Sequence, residues 1–274
     1  MKGFWARFER NRAAVFGFSV LVIVLAVAAV GPFLYPVDPW ELAGRPFSPP
    51  FGRFPLGTDT LGRDLAAGLV HGARISLMMG LVATAMAVLI GTVVGAIAGY
   101  RGGWVDDALM RCTEFFQTIP SFIFAVVLVA IFQPSIESIV AAIAMVSWPT
   151  LARLVRGEFI ALRHREFVQA CVALGMPERS IIFRQVLPNA AGPVIVTGSL
   201  MVATAILLES GLSFLGLGDP NLMSWGFMIG SSRTVLRQAW WMSAIPGVAI
   251  LLTVLAINLV GEGLNDALNP RLPR

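Results

Sequence analysis

The feature that most constrains this chain is a series of long runs without charged residues. The first covers residues 13–34, and a helix needs about 20 apolar residues to cross a lipid bilayer. We expect further spans near residues 75–100, 115–132, 138–152, 190–208 and 239–260. The first run also fits a cleavable signal peptide, but it is longer than a usual signal-peptide core, so a retained anchor is favoured. The pattern predicts an all-α, polytopic integral membrane protein with six transmembrane helices.

The composition supports a membrane protein and argues against nucleic-acid binding. Of the 274 residues, 57% are hydrophobic and 13% are charged, whereas about 25% of the residues in an ordinary soluble domain are charged. The net charge of +4 would suit a nucleic-acid-binding protein, but no basic run with interleaved aromatic residues is present. Basic residues of a membrane protein instead collect on its cytoplasmic face.

The distribution of Lys and Arg predicts the orientation in the membrane. Four lie before the first span, two within residues 101–112, six within residues 153–189 and two in the C-terminal tail, so fourteen of the 20 lie on one side. Cytoplasmic loops are enriched in these residues. We therefore expect both termini and residues 153–189 in the cytoplasm, where Cys112 and Cys171 would be reduced thiols.

Residues 35–74 are polar, rich in Pro and Gly, and predicted to form a loop. Asp59 and Asp64 suggest a metal site, but no His or third carboxylate lies close by, so a capped turn that leads into a helix is favoured. We divide the chain into residues 1–72, with the N-terminal tail, the first span and this loop, and residues 73–274, a core of five spans.

Two spans carry residues that affect helix packing or shape. In the second span, Gly91, Gly95 and Gly99 are spaced four apart, and small residues at this spacing let helices approach closely in a bilayer. We expect these glycines to be helix-packing residues. The short fourth span contains Pro149, which predicts a kinked or tilted helix.

Residues 163–189 form an Arg-rich interval that predicts two short helices. Phe167, Ala170, Cys171 and Leu174 fall at helical spacing and give the first helix an apolar stripe. Gly175 suits the left-handed conformation that ends a helix. A second helix is expected from residue 177 to residue 186, ending before Pro188. The interval is either a docking element for a partner protein or an amphipathic helix on the bilayer surface.

The spans contain almost no groups that could carry out chemistry. The two histidines have no metal-ligand spacing, and no nucleophile elbow or phosphate loop is present. Glu209 is the one candidate for proton or ion coupling, and an interfacial, snorkelling or helix-end role is favoured for it. We therefore expect a pore subunit without catalysis or a cofactor of its own, driven by another protein; a self-sufficient carrier or channel is the alternative.

The Arg-rich interval resembles the EAA loop of the inner-membrane permease subunits of bacterial ABC importers. Gln169-Ala170-Cys171 takes the place of the Glu-Ala-Ala triplet, Gly175 that of its Gly, and Leu187-Pro188 that of its Leu-Pro ending. Three residues depart from the pattern, because Gln169 and Cys171 replace Glu and Ala, and Gln185 stands where Ile is expected.

Other stretches resemble the second permease of dipeptide and oligopeptide importers: PLGTDTLGRD followed by GARISL, ESGLSFLGLG followed by SWG, and the N-terminal NRAAVFG. The resemblance implies a type I importer permease fold in the bacterial inner membrane. It also implies a heterodimeric pore with a related permease, two cytoplasmic ATPase subunits that bind ATP and Mg, and a periplasmic or lipoprotein binding protein. Within such a family the substrate is a peptide, a nickel chelate or glutathione. The residues that would contact the ATPase are Glu166, Gln169, Ala170, Cys171, Leu174, Gly175, Arg179, Leu187 and Pro188.

Overall fold

The computed structural model of the protein describes residues 8–268. Within that range the chain is helical and has no strand beyond two isolated bridges. From Arg12 to Leu268 ten α-helices follow one another, with one turn of π-helix, Ile182–Val186, between the seventh and the eighth. The α-helices are α1 Arg12–Leu34, α2 Leu65–Arg101, α3 Gly103–Thr118, α4 Ser121–Phe132, α5 Ile136–Arg163, α6 Glu166–Ala173, α7 Glu178–Ile181, α8 Leu187–Phe214, α9 Trp225–Ser232 and α10 Trp241–Leu268.

The loop after α1 ends in the predicted capped turn. Asp59 Oδ1 accepts hydrogen bonds from the backbone of Leu61 and Arg63, each at 2.8 Å. Asp64 is the N-cap of α2 and accepts a hydrogen bond from the Ala66 amide at 2.8 Å. The predicted loop was nevertheless too long, because residues 65–74 belong to α2. Helix α2 has 37 residues, or about 55 Å at 1.5 Å per residue. This length exceeds the roughly 30 Å apolar core of a bilayer, so polar residues near one end are compatible with a helix. The predicted boundary between residues 1–72 and residues 73–274 falls within this helix. That division of the chain remains a prediction.

The third predicted span is not one continuous helix. Helices α3 and α4 are bent by 83° at a short break. Ile119 is extended, at φ −92° and ψ 130°, since Pro120 disfavours the helical conformation in the residue before it. Residues 103–112, predicted as a loop, belong to α3.

The bent pair still carries the chain across the bundle. Gly91 of α2 lies against residues 148–152 of α5, and Gly99 lies against Arg156 and Phe159, so the two helices run in the same direction. The chain between two parallel helices must return to the starting end. Among residues 8–268, five helices are long and apolar enough to span a membrane, and the bent pair, taken as one span, makes six.

The two ends of the bundle differ in what they carry. One end, which we call the segment end, holds residues 163–187 together with the first and last described parts of the chain. These two parts meet where Phe8, Ala14 and Ala267 form a small cluster. The loop end holds residues 35–64 and 215–240, which meet where the Trp40 and Phe227 rings lie 5.4 Å apart.

Three further predicted spans have different bounds in the structure. Helix α5 has 28 residues and contains Pro149, so the fourth span is not short. Helix α8 begins at Leu187 and directly continues the π-helical turn, so Pro188 does not end a helix as predicted. Pro188 lies in the first turn of α8, where proline is tolerated. Helix α10 continues beyond the predicted end of the last span, to Leu268.

Candidate functional site

Residues 163–187, which we call the coupling segment, join α5 to α8 at the segment end. Helix α5 ends at Arg163, and α6 begins two residues after the cap His164. The Gln169 side chain donates a hydrogen bond from Nε2 to the Arg163 carbonyl oxygen at 3.0 Å. This bond fixes α6 against the end of α5, so the segment turns sharply rather than extending freely from the bundle.

Gly175 ends α6 in the left-handed conformation, as its position in the sequence predicts. Its φ is +70°. The Gly175 amide donates to the Val172 carbonyl at 2.9 Å, and the Met176 amide donates to the Cys171 carbonyl at 3.1 Å. This pair of bonds is the Schellman motif, in which glycine is preferred because it has no Cβ.

The inner face of the coupling segment is packed into the protein. Val168, Ile181 and Val186 are almost fully buried. They share one apolar cluster with Phe159 of α5 and Ala190 of α8. Because the segment is anchored to both long helices, a force on it would move α5 and α8 together.

The outer face of the segment presents apolar side chains that are not covered by other residues in the described part of the chain, 8–268. Leu174 is 81% exposed, and Phe167, Val172 and Phe183 are exposed as well. The predicted stripe is therefore divided, since Cys171 is partly buried against the inner cluster while Phe167 and Leu174 point outwards. Sequence reasoning missed Phe183, which lies in the π-helical turn and outside the periodic stripe. The remaining predicted docking residues that are exposed are Glu166, Gln169, Ala170, Gly175, Arg179 and Pro188; Leu187 is partly buried against the inner cluster.

Two arginines of α5 brace the segment end. Arg156 donates hydrogen bonds to both carboxylate oxygens of Asp106 in α3, at 2.5 and 2.6 Å. Arg163 donates to the Tyr100 carbonyl oxygen at the end of α2, at 2.6 Å. Beside them opens a cleft of about 840 Å³ between the α2–α3 turn and α6. The cleft has charged walls because Arg101, Arg163 and Glu178 line it.

Helices α2 and α5 are in backbone contact along three glycines. A Cβ added to Gly91 would lie 2.8 Å from the Trp148 carbonyl oxygen, and one added to Gly99 would lie 2.6 Å from that of Arg156. At Gly95 the distance to the Ala152 carbonyl oxygen would be only 2.3 Å. Only glycine permits this close approach of the two helix backbones over the last third of α2.

Glu209 lies inside the protein and not at its surface. It is 2% exposed. Its Oε1 accepts hydrogen bonds from Ser213 at 2.9 Å and from Ser224 at 2.8 Å. Ser224 also caps α9, so the Glu209 carboxylate lies beside the start of that helix, and its burial argues against a snorkelling side chain. Gly226 leaves room for the carboxylate, because a Cβ there would lie 2.6 Å from either oxygen.

The loop end is held to α2 by polar contacts of its own. The Tyr35 hydroxyl donates a hydrogen bond to Asp64, and this bond raises the pKa of Tyr35 to about 12. The Arg63 guanidinium lies over the Trp40 ring, 4.6 Å from its centroid. These contacts make the loop a defined structure at the start of α2.

The sequence of residues 91–274 matches the family described as the inner membrane component of binding-protein-dependent transport systems. The chain belongs to this family of transport permeases. Residues 1–50 also match the N-terminal transmembrane domain of oligopeptide transport permease C.

Several relatives of the permease resemble it along nearly its whole length. The di/tripeptide transport system permease protein DppC of Pseudomonas aeruginosa strain UCBPP-PA14 is 40% identical and is aligned over 99% of this chain and 92% of its own. The oligopeptide transport system permease protein OppC of Haemophilus influenzae is 38% identical over 97% of this chain and 86% of its own.

Solved structures share the fold of the permease. An inward-facing structure of the MetNI methionine ABC transporter aligns with a TM-score of 0.60 at 18% identity, over 71% of this chain and 93% of that one. An amino acid ABC transporter determined with histidines aligns with a TM-score of 0.57 at 13% identity, over 73% of this chain and 94% of that one. The permease fold of an ABC importer is thereby established for this chain.

Membership of the family defines the type of activity. The chain is a membrane-spanning transport subunit of an ABC importer and not an enzyme. The family is described as binding-protein-dependent, so a permease of this family works with a substrate-binding protein.

Proposed function

We propose that this permease forms one half of the translocation pore of a peptide importer and that the coupling segment is its docking site for a cytoplasmic ATPase subunit. The other half of the pore is a related permease, each of the two permeases contacts one ATPase subunit, and a periplasmic or lipoprotein binding protein delivers the substrate. ATP and Mg are bound by the ATPase subunits.

The observation that carries the proposal is the two-faced packing of the coupling segment. Its inner face is buried against α5 and α8, and its outer face exposes Leu174 and Phe183. An apolar outer face with arginines around it suits a protein partner, because buried apolar anchors and charged rim contacts are typical of interfaces. Closure of the ATPase would move the segment, and the buried inner face would transmit that movement to the pore.

The orientation follows from the charges and from the geometry of the two ends. The segment end carries the Arg-rich stretch and both described chain ends, so the positive-inside rule places it in the cytoplasm of a bacterial inner-membrane protein. Residues 35–64 and 215–240 are then periplasmic.

The proposed substrate class is di- and oligopeptides. It rests on the names of the relatives in Pseudomonas aeruginosa and Haemophilus influenzae, which are 40% and 38% identical.

A charge placed on the outer face tests the docking site. The substitution Leu174→Glu changes a side chain that is 81% exposed, so we expect the protein to fold and insert normally. Co-purification of the ATPase subunits should fall about tenfold or more, as for loss of an interface anchor, and ATP-dependent peptide uptake should fall with it. Gly175→Arg should also abolish uptake, but its φ of +70° adds backbone strain.

The matched control is Leu42→Glu, which introduces the same charge at an exposed leucine of the loop end. It should leave ATPase co-purification unchanged. If Leu174→Glu retains both the ATPase subunits and uptake at the wild-type level, the coupling segment is not the docking site.

A further inference from the structure

The loop end contains a small folded segment that has no role in the docking of the ATPase or in the packing of the long helices. Residues 48–58, which we call the prong, fold back on themselves without forming a regular hairpin. The Thr58 amide donates to the Ser48 carbonyl at 3.0 Å, and the Phe51 amide donates to the Pro55 carbonyl at 3.1 Å. Phe51 therefore lies at the closed tip of the prong.

The base of the prong is fixed by a buried threonine. Thr58 is fully buried. Its Oγ1 donates to the Arg45 carbonyl at 2.6 Å and accepts a hydrogen bond from the Ser48 amide at 2.9 Å. The prong thus has a defined shape in this chain alone and does not need a partner to order it.

Phe51 occupies a backbone conformation that a bulky residue rarely adopts. Its φ is +66°, and glycine or asparagine would be favoured there on local grounds. The side chain does not compensate for this strain by packing, because it is 94% exposed. Residues held in unfavourable conformations by the surrounding structure are concentrated at functional sites. The combination of backbone strain and nearly full exposure indicates that the phenyl ring serves in recognition.

The charge around the tip defines the chemistry of the partner. Residues 44–56 contain two charged residues, Arg45 and Arg53, and no acidic residue. Both arginines are exposed, and neither forms an ion pair with a carboxylate anywhere in residues 8–268. A complementary surface offers an apolar pocket for the ring and carboxylates around it.

We infer that the prong is the docking surface of this permease for its substrate-binding protein, with Phe51 inserted into an apolar pocket on an acidic face of that protein. The inference rests on the function proposed above. The prong lies at the loop end, opposite the coupling segment, because α2 leads from one to the other over 37 residues, or about 55 Å. The family is by description binding-protein-dependent, so a protein partner at that face is required.

The decisive substitution is Phe51→Gly, because recognition and structure predict opposite results for it. Glycine relieves the strained φ, so the thermal stability of the variant should equal or exceed that of the wild type. The affinity of the purified binding protein of the same transport system, measured on the complete transporter in nanodiscs, should nevertheless fall about tenfold or more. Arg53→Gln should weaken binding less and should reduce its dependence on salt.

Two controls separate the tip from the rest of the loop. Phe47 also has a positive φ, of +57°, but its side chain packs on the core of the loop end, so Phe47→Gly should lower stability. Leu42 is exposed outside the prong, and Leu42→Ala should leave binding within twofold of the wild type.

The outcomes also distinguish this inference from the proposed function. If the binding protein binds the wild type and the Phe51→Gly variant with the same affinity, the prong is not its docking surface, whatever happens to uptake. Contact of Phe51 with lipid or with the second permease would give this result. If the binding protein does not bind the wild-type transporter at all, the proposed function itself is wrong.

Discussion

Gly95→Ala should destabilise the permease by separating α2 from α5. A Cβ at Gly95 would lie 2.3 Å from the Ala152 carbonyl oxygen, and ordinary contacts begin at 3.4 Å, so the helices would have to move apart by about 1 Å. The obstructing atom belongs to the backbone and cannot rotate away. Overpacking of this kind costs about 1–3 kcal/mol, while alanine gains up to about 1 kcal/mol over glycine in a helix. Subtracting a gain of about 1 kcal/mol from this cost leaves a net loss of up to about 2 kcal/mol.

The matched control for this prediction is Gly157→Ala in α5. A Cβ at Gly157 would meet nothing within 4 Å, so only the gain in helix propensity remains, and stability should be unchanged or up to about 1 kcal/mol higher. Both variants would be compared by thermal denaturation of the purified transporter, followed by the loss of its monodisperse peak in size-exclusion chromatography. Equal denaturation temperatures for Gly95→Ala and Gly157→Ala would refute the close packing of α2 on α5.

Three further predictions concern polar contacts. The pKa of Tyr35 is raised from 10.0 to about 12 in the folded state, so its bond to Asp64 should stabilise the fold fully below pH 10 and progressively less as the pH rises to 12. In denaturation measurements over this pH range, Tyr35→Phe should abolish this loss of stability. A pH profile that is the same in Tyr35→Phe and the wild type would contradict the prediction. Glu209→Ala should destabilise more than Glu209→Gln, because alanine leaves the buried serine hydroxyls without an acceptor; equal melting temperatures would argue against the serine contacts. Arg156→Ala should cost about 1–3 kcal/mol, since the largely buried Asp106 loses both of its hydrogen bonds, and an unaltered melting temperature would exclude a bracing role.

The sequence predicts well which segments can span a membrane, because hydropathy is summed over all the residues of an apolar run. It predicts helix ends poorly, because such a sum does not locate the residue at which the helix begins or ends. Residues 65–74 include the polar residues His71 and Arg74, so their hydropathy suggests a loop. They belong instead to α2, a helix that is longer than the apolar core of a bilayer. The bend at Pro120 was visible as a proline, yet its angle of 83° depends on the packing of α3 and α4 against other helices.

The coupling segment shows a second limit of sequence reasoning. Periodicity identified a stripe through Phe167, Cys171 and Leu174, but a stripe has the same spacing whether it faces its own chain or a partner. The structure divides it, since Cys171 packs inwards while Phe167 and Leu174 are exposed on the outer face. The Schellman turn at Gly175 could be predicted because it depends on local conformation alone.

The prong could not have been predicted, because its base is closed by a hydrogen bond between Thr58 and Ser48, ten residues apart, without a strand pattern. Phe51 in the sequence reads as one apolar residue among prolines. The role inferred for Phe51 depends on its positive φ and on its exposed ring, and only the three-dimensional structure shows these.

The proposal that the permease is a pore subunit driven by a separate ATPase can be tested by measuring peptide flux in reconstituted vesicles. Uptake of a labelled dipeptide would be measured in proteoliposomes that contain either the complete transporter or this chain alone. The account predicts uptake by the complete transporter only with ATP and binding protein, and none by the chain alone. Dipeptide flux through the chain alone, without ATP, would contradict it and would identify a self-sufficient carrier.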